Sequence, residues 1–260
     1  MEYNMDIFNI PLYYISFNPN TDLETNFKKQ GFKDINHFSA VNGKLYTPID
    51  LLENDIITIR VYNDLIYGRH QSTGMPTLGG VGCTLSHLSL WNYCVDNDLQ
   101  YIIITEEDAR FNKSLSDYDI NNIKKSLNKK NGGFVSSHNF KKNSEYFFGT
   151  HFYIITNGCA RELVKYALPI DLQTDAYINN LNNRGKIDLE GYQIANQKIH
   201  KSNIQNMCIK CILPKGKMFY IFIIIVVVIF IISYIIMKNK LTKSKIELDS
   251  CLQSSCLQSS

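Results

Sequence analysis

An excess of charge of one sign is missing from this chain: 27 Lys and Arg against 24 Asp and Glu leave a formal charge of +3 over 260 residues. A balance that even gives no polycationic case for nucleic-acid binding. Lys124, Lys125, Lys129 and Lys130 make only a local basic helix face, which reads as a solvated surface. Proline is scarce at 6 and glycine modest at 14, while 45% of residues are hydrophobic, which excludes a disordered or collagen-like chain and leaves enough apolar material for a core. The 7 cysteines, at 83, 94, 159, 208, 211, 251 and 256, are odd in number and scattered, which argues for reduced thiols rather than a disulfide framework. Cys208 and Cys211 form a CxxC pair, but no second pair or His pair stands at the spacing of a closed zinc site, so the pair reads as an acylation site or a linker feature. The start, MEYNMDIFNIPLYY, has neither the basic leader nor the apolar stretch of a signal peptide, so the large domain is expected to face the cytosol and the sequon Asn112-Lys113-Ser114 to stay unmodified.

What the chain does contain, once, is a long hydrophobic run. Phe219 to Met237 (FYIFIIIVVVIFIISYIIM) carries no charge, proline or glycine. At about 1.5 Å rise per residue such a run crosses a hydrocarbon core of about 30 Å, so it predicts a single transmembrane helix seated in a lipid bilayer. Lysines flank it on both sides, and a short tail crosses a membrane more easily than a large domain, which predicts a C-terminal anchor. The expected organisation is one domain over 1–207, a juxtamembrane linker over 208–218, the span over 219–237, and a polar tail over 238–260 that ends in the repeat CLQSS-CLQSS and is too short for a core.

Within the large domain, Pro11 to Phe17 is an apolar run rich in β formers and bounded by the turn Asn18-Pro19-Asn20, which predicts a buried first strand. Thr21 or Asp22 can cap a helix through Gln30, Gly31 stops it, and His37 to Val41 reads as a second strand ahead of the turn pair Asn42-Gly43. Leu85, Leu88, Trp91 and Val95 fall at helical spacing, which predicts an amphipathic helix over 84–95. Tyr101 to Thr105 is a continuous apolar run, as a strand covered on both faces requires, and it runs straight into Glu106-Glu107-Asp108. Three adjacent carboxylates at the C-terminal end of a buried strand suit a hard cation with oxygen ligands; the alternative is a solvated acidic turn. Gly133 to Ser137 and His151 to Thr156 read as further strands and Cys159 to Ala167 as a helix stopped before Pro169, so the order is α/β or α+β throughout.

Gly79-Gly80-Val81-Gly82-Cys83-Thr84-Leu85-Ser86-His87, followed by Glu106-Glu107-Asp108, resembles glycosyltransferase family 25, whose members carry "GEIGCALSH" before a long helix and "LEDD" at a metal-binding turn. Ile15-Ser16-Phe17-Asn18 is similar to the family's first-strand motif and Ala40-Val41-Asn42-Gly43 to its "AVDG". Gly149 to Ala160, Pro169-Ile170-Asp171, Asp175 and Gln197 to Gln205 are similar to its later blocks, so the likeness runs over about 11–205 in the family's order.

The resemblance implies a GT-A type α/β fold and metal-dependent, inverting transfer of a hexose, usually galactose, from a UDP-sugar to a hydroxyl of a glycan or protein acceptor. It implies Mn²⁺ or another divalent cation at Glu107 and Asp108, and nucleotide-sugar contacts from Tyr14, Ser16, Asn18, Ala40, Asn42, Gly43, Ser86, His87 and Glu106. A metal held by carboxylates offsets charge growing on the leaving diphosphate, and a base must take the acceptor proton; Asp175 is assigned that role, with Asp171 second. His87 and Ser86 each have a structural alternative, as a hydrogen-bonded helix residue and as a hydroxyl serving backbone donors. Four family polar positions are altered: its first-strand Arg falls on Leu23, the Asp of "AVDG" on Asn42, the Glu of "GEIGC" on Gly80 and the middle Asp of "EDD" on Glu107. A catalytically reduced nucleotide-sugar binder or a membrane-anchored adaptor is therefore the alternative to an active transferase.

Overall fold

The computed structural model describes residues 5–68, 74–111, 113–128, 132–137, 149–192 and 194–197. Asn112, the CxxC pair, the 219–237 run and the tail lie outside them, and among the described residues no helix is long and apolar enough to cross a membrane.

The order is β1 (Leu12–Ser16), α1 (Thr21–Gln30), β2 (Ile35–Ser39), α2 (Pro48–Glu53), α3 (Ile59–Tyr67), α4 (Leu78–Asp96), β3 (Tyr101–Glu106), β4 (Ala109–Arg110), α5 (Asp117–Leu127), β5 (Gly133–Ser136), β6 (Phe152–Thr156), α6 (Asn157–Lys165), α7 (Thr174–Asn183), β7 (Asp188–Gly191) and β8 (Asn196–Gln197). Six strands form one sheet in the order β2-β1-β3-β6-β5-β7, and β4 pairs with β8 in a separate two-stranded ladder. β2, β1 and β3 are parallel, with Leu12 opposite Ile35 and Ile103 and with Ile15 opposite Glu106. β6 is antiparallel to both β3 and β5, and β7 returns parallel to β5. This mixed, parallel-rich α/β sheet is consistent with a GT-A-like domain.

Alternation along β3 explains the layers. Ile102 and Ile104 point to a core shared with Leu88 and Trp91 of α4, Leu163 of α6 and Leu181 of α7. Ile103 points the other way, into a core with Leu23 and Phe27 of α1 and Ile123 of α5. All three isoleucines are fully buried, each contributing about 1.5–3 kcal/mol of transfer free energy. A strand sandwiched between two helix layers has no polar face, which is why its sequence reads as an unbroken apolar run.

Local signals place the helix ends. Asn20 caps α1 by accepting from the Leu23 N–H, and Gly31 ends the helix at φ +103°, a left-handed conformation that favours glycine. α4 begins at Leu78, six residues before the apolar spacing predicts, because Thr77 caps it by accepting from the Gly80 N–H. Nor is α4 simply amphipathic: Val81, Thr84, Ser86, His87, Leu90 and Cys94 are buried along with Leu88 and Trp91, so its buried face reaches most of the way round. Helical spacing alone detected only part of a helix that also packs against α6 and the turn following Asn42.

Candidate active site

The chain runs from β1 to β2 on one side and then crosses to β3 on the other, so a crevice opens where the C-terminal ends of β1 and β3 part. Open α/β sheets place ligands at such a switch point. Here Phe17, Asn18, Pro19, Asn20, Thr21 and Glu107 line an open cleft of about 330 Å³.

Glu106, the last residue of β3, is fixed from several directions. Its backbone N–H donates to the His151 carbonyl at 2.9 Å, and its Oε1 accepts from the Thr150 hydroxyl at 2.5 Å. His87, fully buried on α4, faces the same oxygen with Nε2 at 3.5 Å, an electrostatic contact without hydrogen-bond geometry. The other ring nitrogen, Nδ1, is 2.8 Å from the Tyr153 hydroxyl, which also accepts from the Trp91 indole N–H at 2.9 Å. Burial alone would push the Glu106 carboxyl up; the His87 ring, the Thr150 hydroxyl and His151 more than reverse this and hold it below the usual range.

Asp175 enters from the first turn of α7. Its Oδ1 accepts from the Ala176 N–H at 2.7 Å. Burial raises its carboxyl, backbone N–H groups of Ala176 and Gly149 draw it down, and the charge of Glu106 adds to the rise, with a net upward shift. Cys83, one helical turn before His87, completes the cluster: its thiol lies within 4.8 Å of His87 and Glu106 and is pushed up by burial and then by Glu106, Asp175 and Asp108. Glu107 is exposed on the cleft, and Asp108 is half-buried.

The other predicted residues divide by what their polar groups already do. Tyr14 donates to Glu24 at 2.6 Å and accepts from the Asn20 N–H, which pins the loop between β1 and α1. Ser16 donates to the Asn18 carbonyl at 2.5 Å, leaving Asn18 as the member of that motif that lines the cleft. Asn42 caps a short 3-10 turn over Gly43–Leu45 through the Lys44 N–H. Ser86 donates to the Gly82 carbonyl and accepts from the Val41 N–H at 2.9 Å, the structural role foreseen as its alternative, and the backbone of Ala40 bonds the Ser16 carbonyl. A Cβ on Gly43 would sit 1.8 Å from the Leu78 carbonyl oxygen and one on Gly82 2.5 Å from that of Val41, so the two motifs are glycine-bearing because they are halves of one backbone contact. Asp171 instead accepts from Thr58 at 2.7 Å and pairs with Arg60 at 2.9 Å at the start of α3. Of the two candidate bases, Asp175 lies within electrostatic reach of Glu106 and Cys83, whereas Asp171 is held by Thr58 and Arg60.

Thr150, Tyr153, Trp91 and Cys83 are the site residues that sequence reasoning passed over. Cys83 stood in the quoted motif and Trp91 in the helical spacing that follows it, but Thr150 and Tyr153 meet α4 and β3 only through the pairing of β6 with β3.

Residues 11–132 match the family model Glycosyltransferase family 25 (LPS biosynthesis protein). The chain resembles glycosyltransferase family 25. A Drosophila melanogaster protein named "Glycosyltransferase 25 family member" is 36% identical over 75 residues, 29% of this chain and 11% of the relative. Danio rerio "Procollagen galactosyltransferase 1" is 36% identical over 73 residues, 28% of this chain and 11% of that protein. An Anopheles gambiae family 25 member is 32% identical over 78 residues, 30% and 12%. The chain thus spans about a tenth of the length of the curated relatives it matches. The family 25 segment contains His87 and Glu106 to Asp108, whereas Thr150, Tyr153 and Asp175 lie beyond it.

Proposed function

We propose that this chain is a membrane-anchored glycosyltransferase that moves a hexose, galactose in preference, from a UDP-sugar to a hydroxyl on a glycan or protein, with inversion. The family 25 resemblance supports sugar transfer, and the name of the Danio relative supports galactose as the first donor to try. The carrying observation is that the turn ending β3 sets Glu107 on an open cleft at the β1/β3 switch point, while the neighbouring Glu106 and Asp108, together with Asp175, lie within electrostatic reach of Cys83.

The donor set at Glu107 and Asp108 is hard oxygen, which fits Mn²⁺. Bound there, the ion would offset charge on the departing diphosphate. Glu106, tied down by Thr150 and faced by His87, orients the backbone of the turn that carries those two carboxylates. Asp175 takes the acceptor's hydroxyl proton on a carboxylate oxygen; its raised proton affinity makes it a stronger base than a solvated aspartate. The 219–237 run supplies the proposed anchor.

Purified full chain with Mn²⁺ and a panel of nucleotide sugars tests this by the nucleoside diphosphate released. UDP from UDP-galactose is expected, abolished by chelation and reduced at least about 10²-fold in Asp175→Asn. UDP binding with no turnover on any donor or acceptor would replace transfer with the binding-only reading.

A further inference from the structure

Cys83, His87 and Glu106 form a second donor set of different chemistry. Cys83 and His87 stand at i and i+4 on α4 and so share one helix face, and the end of β3 brings Glu106 to the same point. Their ligand atoms all lie within 4.8 Å of one another, and His87 and Glu106 are 3.5 Å apart. Ligands of a tetrahedral ion at bond lengths of about 2.0–2.3 Å stand about 3.3–3.6 Å apart, so that pair already has the required spacing and the thiol needs only a side-chain adjustment.

We propose that Cys83, His87 and Glu106 bind a borderline divalent d-block cation, Zn²⁺ by chemistry, at a site separate from the oxygen-only pair Glu107 and Asp108. A sulfur and an imidazole select such an ion over Mn²⁺, and three protein ligands leave a position for water.

Independent support comes from His87. Its ring is fully buried, yet Nε2 makes no hydrogen bond and points at the Glu106 carboxylate. Its opposite nitrogen is held by Tyr153, and Thr150 holds Glu106, so both ligands have the outer partners that orient metal-binding side chains. With a cation on Nε2, the ring proton sits on Nδ1 and is donated to the Tyr153 oxygen. The carboxylates of Glu106, Asp175 and Asp108 all act on the Cys83 sulfur, a concentration of negative charge that a dication relieves. Binding replaces the S–H bond with a metal–sulfur bond, and the proton goes to solvent.

The inference stands apart from sugar transfer and is tested without it. Full chain stripped with a chelator and titrated with Co²⁺ should develop sulfur-to-cobalt charge-transfer absorption at one equivalent. The band should vanish in Cys83→Ser and persist when Cys208 and Cys211 are both changed to Ser. It should also persist in Asp108→Ala, which impairs the proposed Mn²⁺ site, and Tyr153→Phe should weaken Co²⁺ binding about 10- to 100-fold. No charge-transfer band in the wild type, a band that survives Cys83→Ser, or one lost with the Cys208 and Cys211 changes overturns the site. Should Cys83→Ser fail to fold, the wild type decides: one equivalent of Zn²⁺ must protect Cys83 from alkylation, and an unprotected Cys83 overturns the proposal.

Discussion

Ser86 shows how much one small side chain carries. Fully buried, its hydroxyl bonds the Gly82 carbonyl and takes the Val41 N–H, joining the segment after β2 to α4. Ser86→Ala takes the acceptor from the half-buried Val41 N–H, which costs about 0.5–1.5 kcal/mol, and urea denaturation should show that loss. Glu106 makes a pH-dependent contribution. Its carboxyl is held below the usual range, so its stabilisation is fully present above the unfolded-state value of about 4.3 and is lost as pH falls through the folded value. Glu106→Gln should therefore flatten the acid limb of stability against pH; an unchanged limb between pH 3 and 6 would show that Glu106 is not the group responsible.

At the scale of elements, the close approach of α4 to the turn at Gly43 sets a ranking among glycines. A Cβ at Gly43 meets the Leu78 carbonyl oxygen at 1.8 Å, and one at Gly82 meets that of Val41 at 2.5 Å, both in backbone that cannot yield without separating the elements. At Gly80 the nearest atom is the Met75 sulfur at 2.6 Å, which is on a flexible side chain. Gly43→Ala should therefore lower Tm most, Gly82→Ala by about 1–3 kcal/mol equivalent or more, and Gly80→Ala least. The same contact bears on restoring a family-like carboxylate: Gly80→Glu would have to displace Met75, which is buried with Leu51, Val61 and Val81. A Tm for Gly80→Ala below that of Gly43→Ala would show that Met75 cannot move.

For the molecule as a whole, every described residue lies in one unit, Met1–Asn206. That unit should unfold in a single transition at the same denaturant midpoint with or without the following residues, measured by tryptophan fluorescence of Trp91; two transitions would divide the domain. If the 219–237 run anchors the chain with the domain in the cytosol, protease added to sealed microsomes should digest the domain, and glycosylation at Asn112 would place it in the lumen instead.

Strands β1, β3, β5 and β6 and the acidic turn were legible in the sequence because their causes are local, whereas β2 begins at Ile35, two residues before the expected His37, and β4, β7 and β8 carry no apolar run that marks them. Ile102 to Ile104 read as a two-sided buried strand from composition alone, Gly31 as a helix stop from its backbone freedom, and Glu106 to Asp108 as a candidate site from adjacency. The start of α4 was not legible, since three glycines in its first turns lower helical propensity and only the Thr77 cap and the packing against Gly43 overcome it. Nor could spacing separate Asp175 from Asp171: α7 carries one toward Glu106, while Thr58 and Arg60 hold the other. The sequence alone determined which residues could carry charge, end a strand or stop a helix. Only the tertiary structure decided which of them meet, because the sheet order β2-β1-β3-β6 brings Thr150 and Tyr153 to Glu106 and His87 across long separations in the chain.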